Sequence, residues 1–200
     1  MTGARYIALE GAEGCGKSTL ANMLAVDLDA VITREHGGTR IGKHVRAIVA
    51  NPEHTEMDDR TEMLLIAGDR AQHLAEVVVP TLASGRHVVS DRSVYSSLAY
   101  QGYGRGLPLE EVRAINDWAL RGRWPDIVVF LEVSPEVQHQ RLARRTLDRF
   151  ERAGIDFHER VVEGFRAMAA ADPDRWITLD GNVPVPDVHA AAWSAISERL

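Results

Sequence analysis

The sequence predicts a three-layer α/β domain built on a parallel sheet of five strands. Five short apolar segments recur along the chain, and they cover residues 5–10, 30–33, 87–91, 127–133 and 176–179. Most of them are continuously apolar, which is typical of strands that are buried on both faces of a parallel sheet. Longer segments with helical periodicity fill the intervals, so the chain alternates between strand and helix as βαβ units do.

The helical segments are recognised by apolar residues that recur every three or four positions. Residues 18–28 follow the first strand segment, and residues 58–83 form the longest helical segment. An amphipathic stripe lies later in the chain, with spacings of 4, 4 and 3 between its members Phe157, Val161, Phe165 and Met168. No linker interrupts the pattern, so we expect residues 1–200 to form a single domain.

The composition excludes several classes of protein. A net charge of −6 argues against a protein that holds nucleic acid by bulk electrostatics. The single cysteine cannot form an intrachain disulfide, which favours a reduced, cytoplasmic setting. No apolar run approaches the roughly 20 residues that a membrane-spanning helix requires, so we expect no membrane partner.

A glycine-rich loop lies between the first strand segment and the first helical segment. Residues 11–18 read GAEGCGKS and complete the pattern G-x-x-x-x-G-K-[ST]. Such a loop points several backbone N–H groups at one anion, and the helix N-terminus adds partial positive charge. The Lys17 ammonium can then reach the β- and γ-phosphates of a nucleotide, while the Ser18 hydroxyl can bind Mg²⁺. The residues expected to bind the nucleotide are therefore Gly11, Gly14, Cys15, Gly16, Lys17, Ser18 and Thr19.

Three further polar segments follow predicted strands. They read TREHGGT at residues 33–39, DRSVYSSLAYQG at residues 91–102 and RLARRTLDRFE at residues 141–151. In open α/β sheets, ligands bind beyond the carboxyl ends of the strands. We therefore expect these segments to form the remainder of a ligand site.

Together with the glycine-rich loop, these segments resemble the bacterial thymidylate kinases, in which they usually read TRE-P-GGT and DR-x-x-x-S-x-x-A-Y-Q-G. The resemblance extends over nearly the whole chain, in the same order. It implies the P-loop NTPase fold of the nucleoside monophosphate kinases, with ATP and Mg²⁺ as cofactors and phosphorylation of dTMP to dTDP as the reaction. The resemblance also favours a homodimer. The sequence agrees with this, because residues 58–83 contain more apolar residues than one buried face needs.

The resemblance implies roles for residues at the matching positions. Arg92 would hold the acceptor phosphate, because a planar guanidinium suits bidentate phosphate binding. Asp91 would position Mg²⁺ together with Ser18, and Glu13 would help to place the acceptor sugar or the metal. Further acceptor contacts are implied for Arg34 and Arg70 at the phosphate, and for Ile66, Ser97, Tyr100 and Gln101 at the base and sugar.

The arginine-rich segment is informative through its spacing. Arg144, Arg145 and Arg149 lie 3, 4 and 8 positions after Arg141, which would place all four on one helix face. In the family that the chain resembles, this segment, here residues 141–152, is a mobile lid. The P-loop carries no arginine, and in this it resembles the subgroup of the family whose lid donates the catalytic arginine. This resemblance implies that Arg144 or Arg145 acts in catalysis and that Arg141 stacks on adenine. The expected catalytic residues are thus Glu13, Lys17, Arg92, Arg144 and Arg145.

Two positions depart from the family pattern. His36 stands where the family has proline, which leaves open both the conformation of that turn and a contact between His36 and a phosphate. Ile66, four residues before Arg70, stands where the family has a phenylalanine that stacks on thymine. An apolar contact remains, but we expect either weaker base selectivity or a ring supplied by another residue.

Other interpretations fit parts of the sequence. A deoxynucleoside kinase would also have a P-loop, but it usually has Glu-Arg-Ser where this chain has Asp91-Arg92-Ser93. A kinase of another small metabolite could share the same fold, and the fold alone does not reject it. A nucleotide-gated binding protein would need a guanine-binding N-K-x-D segment, and the sequence has none.

Overall fold

The computed structural model describes residues 3–143 and 147–200, and five strands within them form one parallel sheet. The strands are β1 (Tyr6–Glu10), β2 (Val31–Arg34), β3 (Val88–Asp91), β4 (Ile127–Glu132) and β5 (Trp176–Asp180). They lie in the order β2-β3-β1-β4-β5, and each end falls within one residue of its predicted position. The predicted five-stranded parallel sheet is therefore confirmed.

Helices connect the strands and pack against both faces of the sheet. They are α1 (Lys17–Asp27), α2 (Arg40–Val49), α3 (Asp59–His73), α4 (Val79–Ala83), α5 (Val94–Ser97), α6 (Leu109–Leu120), α7 (Pro135–Leu142), α8 (Ile155–Ala171) and α9 (Val185–Ser197). A π-helical turn (Leu74–Val78) joins α3 to α4, and a second (Leu98–Gly104) continues α5. None of the helices in the described part of the chain is both long and apolar enough to cross a membrane.

The position of each strand in the sheet explains its burial. β1 lies between β3 and β4, and all five of its residues are buried. β2 is an edge strand whose residues alternate between half-buried and exposed. The expectation that strands are buried on both faces therefore does not hold for β2. Leu9 of β1 pairs in register with Asp91 of β3. This register brings the loop after β1 beside the segment after β3.

Side chains at alternate strand positions fill two apolar cores, one on each face of the sheet. Tyr6 and Phe130 belong to one core together with Phe165 of α8, while Ile7 belongs to the other core together with Leu24 of α1. Burial of a large apolar side chain contributes roughly 1.5–3 kcal/mol, so these contacts decide which helix face meets the sheet. The stripe predicted for residues 157–168 lies against the first core, as expected.

The arginine-rich segment differs from its prediction. Helix α7 ends before Arg149, and the guanidinium of Arg149 forms an ion pair with the buried carboxylate of Glu62. The expectation that Arg141 and Arg149 share one helix face is therefore wrong, because a tertiary ion pair and not a continuous helix places Arg149. The two arginines proposed for catalysis, Arg144 and Arg145, lie outside the described residues.

Candidate active site

The glycine-rich loop joins β1 to α1 in the strand–loop–helix arrangement that its motif predicts. Its backbone requires glycine at two positions in particular. At Gly11, φ is 142° and an added Cβ atom would lie 2.5 Å from the carbonyl oxygen of Leu131 on β4. At Gly16, φ is 105°, in the left-handed region directly before α1. These turns bring the N-terminus of α1 to the end of the sheet, where backbone N–H groups can bind phosphate.

Lys17 and Ser18 carry the polar groups at the start of α1. Lys17 is buried, and its Nζ donates to the carbonyl oxygens of Gly11 (3.0 Å) and Ala12 (2.7 Å). The Ser18 hydroxyl donates to Oδ2 of Asp91 (2.5 Å), which lies at the end of β3. The ammonium is thus held against the loop, where phosphate oxygens can replace the carbonyl oxygens as its acceptors.

The pair formed by Ser18 and Asp91 fits Mg²⁺. This ion prefers oxygen ligands and keeps several water molecules, with one or two protein ligands and the substrate phosphates completing its shell. Within residues 3–143 and 147–200, no group of three or more His, Cys, Asp and Glu side chains could hold a metal ion. The donor set therefore suits a metal that takes most of its ligands from a nucleotide and water.

Arg92 follows β3 and links the end of this strand to the P-loop. Its Nη1 donates to the carbonyl oxygen of Gly11 (3.3 Å) and to Oγ of Ser96 (3.1 Å). Its Nη2 donates to the Tyr100 hydroxyl (3.1 Å) and to the carboxylate of Glu13. Only 12% of the Arg92 side chain is exposed, so its guanidinium faces the interior of the site and is no surface group.

A buried ion-pair network lies behind the loop that follows β2. Glu35 accepts a hydrogen bond from Nε of Arg70 (2.7 Å) and lies 2.8 Å from Nδ1 of His73. Arg70 also donates to Oγ of Ser97 (2.9 Å) and to the side chain of Asn116. Burial alone would raise the pKa of Glu35, but Arg70 and His73 together lower it to about 2. Glu35 therefore stays ionised and fixes the position of Arg70.

Apart from Gly11, the described candidate residues line two adjoining cavities at the carboxyl ends of the strands. Four residues line both cavities, namely Glu13, His36, Arg92 and Phe150. The outer cavity is also lined by Gly14, Cys15, Gly16, Lys17, Ser18, Thr19, Arg34, Asp91 and Arg141. The inner cavity is also lined by Ile66, Arg70, Ser97, Tyr100 and Gln101. The outer cavity thus adjoins the P-loop, and the inner cavity holds the residues expected at the acceptor except Arg34, which lines the outer cavity.

Arg141 forms another edge of the outer cavity. Its Nη1 donates to the carbonyl oxygens of Gly14 (3.3 Å) and Cys15 (3.2 Å), and its Nη2 donates to the carbonyl oxygen of Gly181 (3.1 Å). Arg141 therefore connects the P-loop to the turn after β5. This position beside the nucleotide loop is compatible with a contact to the base of the nucleotide.

Some residues of the site do not follow from the sequence. The ring centroid of Phe150 lies 5.8 Å from that of His36 and 6.1 Å from that of Tyr100. Phe150 lies in the arginine-rich segment, so the sequence locates the segment but not this side chain. Arg46 of α2 lines the outer cavity and donates to the backbone oxygen of His36 (3.5 Å), and no motif marks it. The Glu35–His36 peptide bond is cis.

The fold, the P-loop and the facing arginine define the class of P-loop kinases. The family model described as thymidylate kinase matches residues 9–192. The chain is 40% identical to the thymidylate kinase of Halalkalibacterium halodurans, with 100% of this chain and 99% of that protein aligned. It is 38% identical to the thymidylate kinase of Geobacillus sp., with 98% and 97% aligned, and 40% identical to that of Geobacillus thermodenitrificans, with 98% and 90% aligned. The chain belongs to the thymidylate kinase family, as its motifs predict.

Proposed function

We propose that this chain transfers the γ-phosphoryl group of ATP to the phosphate of dTMP and forms dTDP and ADP, with Mg²⁺ as the metal. The observation that carries the proposal is the arrangement of the two cavities. The P-loop lines one cavity, and Arg92 stands where this cavity meets the other. Two phosphate-binding groups therefore face a common space, as transfer between two phosphorylated nucleotides requires.

The donor nucleotide occupies the outer cavity. Lys17 and the N–H groups of the loop bind the phosphates of ATP, and Ser18 and Asp91 hold Mg²⁺. When bound, Mg²⁺ neutralises charge on the phosphate oxygens. Arg141 closes the edge of this cavity, where a guanidinium can stack on adenine. Positioning of the two nucleotides and electrostatic stabilisation supply the catalysis, so no protein base is required.

The acceptor extends from Arg92 into the inner cavity. Arg92 and Arg34 bind its phosphate, and Glu13 helps to place its sugar. Tyr100 lies against Arg92 and restricts the space at the 2′ position, which favours deoxyribose. The base contacts Ile66, Ser97 and Gln101 in the inner cavity, and Arg70 assists at the phosphate, as the family resemblance implies.

The arginine-rich segment 141–152 acts as a lid over the donor. Arg144 and Arg145 bring guanidinium groups to the transferring phosphoryl group and add to the charge of Lys17, because the P-loop has no arginine of its own. The ion pair between Arg149 and Glu62 supports this arrangement, since it anchors the end of the segment to α3.

The assembly is a cytoplasmic homodimer. Exposed apolar side chains on the α3–α4 segment support this proposal, because Leu64 is 58% exposed and Val79 is 47% exposed. Sedimentation velocity tests it. The unmodified chain should sediment with the mass of two chains, and Leu64→Arg should shift it to one, whereas a monomeric unmodified chain would contradict the proposal.

Direct detection of dTDP tests the activity. The purified chain is incubated with ATP, Mg²⁺ and dTMP, and the nucleotides are separated by anion exchange. We expect ADP and dTDP in equal amounts, and Lys17→Met should abolish both products. Formation of ADP without dTDP would identify an ATPase, and conversion of thymidine instead of dTMP would identify a nucleoside kinase.

A further inference from the structure

The inner cavity offers few unsatisfied polar groups to a ligand. The amide nitrogen of Gln101 donates to the buried carboxylate of Glu62 (2.8 Å). The guanidinium of Arg70 is engaged by Glu35, Ser97 and Asn116 and also donates to the backbone oxygen of Ser93 (3.2 Å). The polar side chains at the inner wall therefore already make hydrogen bonds within the protein.

His36 is the exception in this cavity. Among the described side chains that line the inner cavity, only that of His36 has a buried polar atom without a hydrogen bond. This atom is its Nε2. Buried polar atoms in native structures almost always have a partner, so an unsatisfied one at a cavity wall points to a ligand group. The imidazole ring itself is placed by Phe150, with 5.8 Å between ring centroids and 44° between ring planes.

The surroundings keep His36 uncharged. Burial lowers the pKa of His36 to about 3, and the positive charges of Arg46, Arg92, Arg70 and Arg34 act in the same direction. At neutral pH the ring therefore carries one proton on one of its two nitrogens, and it can donate one hydrogen bond without adding charge.

We propose that His36 recognises the base of the acceptor nucleotide, and that its Nε2–H donates a hydrogen bond to the carbonyl oxygen O4 of thymine. This inference rests on the proposed function. A neutral donor adds little at the phosphate, where the charged groups Arg92 and Arg34 already lie. It adds more in the inner cavity, where the buried Nε2 of His36 has no partner within the protein.

The same placement compensates for Ile66. Ile66 is buried and lines the inner cavity, but it offers no aromatic face to the base. The rings of His36 and Phe150 line the same cavity and supply aromatic surface together with the hydrogen bond. A polar contact also discriminates between bases more sharply than an apolar contact does.

A cycle of two proteins and two acceptors tests this role. The proteins are the unmodified chain and His36→Phe, which keeps a ring and removes the donor. The acceptors are dTMP and the 5′-monophosphate of 5-methyl-2-pyrimidinone deoxyriboside, in which hydrogen replaces O4 and N3 carries no proton, so that the comparison of the two proteins, and not the analogue alone, isolates the contact of His36. We expect His36→Phe to lower kcat/KM for dTMP about 10-fold and to change kcat/KM for the analogue less than about 2-fold. The KM for ATP should stay within about 2-fold.

Two further variants keep the test decisive if His36→Phe folds poorly. His36→Pro also lacks a donor and should reduce the preference for dTMP over the analogue about 10-fold, while His36→Gln provides an amide donor and should preserve the preference within about 3-fold. A parallel loss with both acceptors in the donor-free variants would overturn the proposal and indicate a phosphate contact or a structural role. An unmodified chain that does not phosphorylate dTMP would instead refute the proposed function itself.

Discussion

The guanidinium of Arg149 forms an ion pair with the carboxylate of Glu62, a side chain that is fully buried in α3. The same carboxylate accepts hydrogen bonds from Gln101, at the wall of the inner cavity, and from Arg105 (3.0 Å). Glu62 therefore connects the end of the arginine-rich segment to the acceptor cavity. A change in this one carboxylate should affect both.

We expect Glu62→Gln to destabilise the protein by about 3–5 kcal/mol, because it removes the anion of the largely buried Arg149 and leaves Arg105 with only the partly exposed Asp59. The KM for dTMP should rise at least several-fold, since the amide offers one acceptor oxygen where the carboxylate accepts from Gln101, Arg105 and Arg149 with two. Urea unfolding and steady-state kinetics measure the two effects.

Glu111→Gln is the matched control. Glu111 pairs with Arg60 on the surface, where both side chains are more than half exposed, and its loss should cost less than about 1 kcal/mol. Equal destabilisation by the two variants would contradict the role assigned to Glu62.

The pKa of Glu35 gives a pH dependence with a definite sign. Its carboxyl has a pKa of about 2 in the folded chain against 4.5 ordinarily, so the unfolded chain binds its proton first as the pH falls. The stabilisation is thus fully present well above pH 4.5 and is lost as the pH falls from there towards 2. Between pH 5 and pH 3, we expect the unmodified chain to lose about 2 kcal/mol more stability than Glu35→Gln does. Urea unfolding at the two pH values checks this, and identical slopes for the two proteins would contradict it.

Arg92 is expected to act on the acceptor and not on the donor. Arg92→Lys keeps the charge but loses the planar, bidentate geometry, so the KM for dTMP should rise roughly 10–100-fold while the KM for ATP stays within about 3-fold. Arg86→Lys, at an exposed arginine that pairs with Asp29, should change neither constant. A rise in the KM for ATP alone would place Arg92 on the donor side.

The lid arginines should act on the transition state. Replacing both Arg144 and Arg145 by alanine should lower kcat roughly 10³-fold and change the KM for ATP less than about 5-fold. Arg152→Ala removes an exposed arginine from the same segment and should leave kcat nearly unchanged. If the double variant raised only the KM for ATP, these arginines would bind nucleotide without stabilising the transition state.

Features that depend on local sequence could be predicted well. The strand ends follow from apolar runs, and the P-loop follows from the spacing of its glycines. Each signal depends on residues only a few positions apart, and both predictions agree with the structure. The segments after β2 and β3 could be placed at the site because parallel strands share one carboxyl edge.

Features that depend on distant partners could not be predicted. The spacing of the arginines indicated one continuous helix, but the partner of Arg149 is Glu62, 87 positions earlier in the chain. Phe150 and Arg46 reach the site only through tertiary packing, and no local pattern distinguishes them from surface residues. The partners of Arg70 are likewise spread over four separate elements and loops, so its buried position in the network could not be inferred from residue type.

The most direct measurement is ADP release in a coupled assay with ATP and Mg²⁺, with dTMP, dUMP, UMP, CMP, AMP, GMP and thymidine offered separately. We predict strong turnover with dTMP, weaker turnover with dUMP and none with thymidine. Turnover with thymidine but not with dTMP would contradict the assignment of Arg92 to an acceptor phosphate. Failure with all seven acceptors would contradict the proposed reaction.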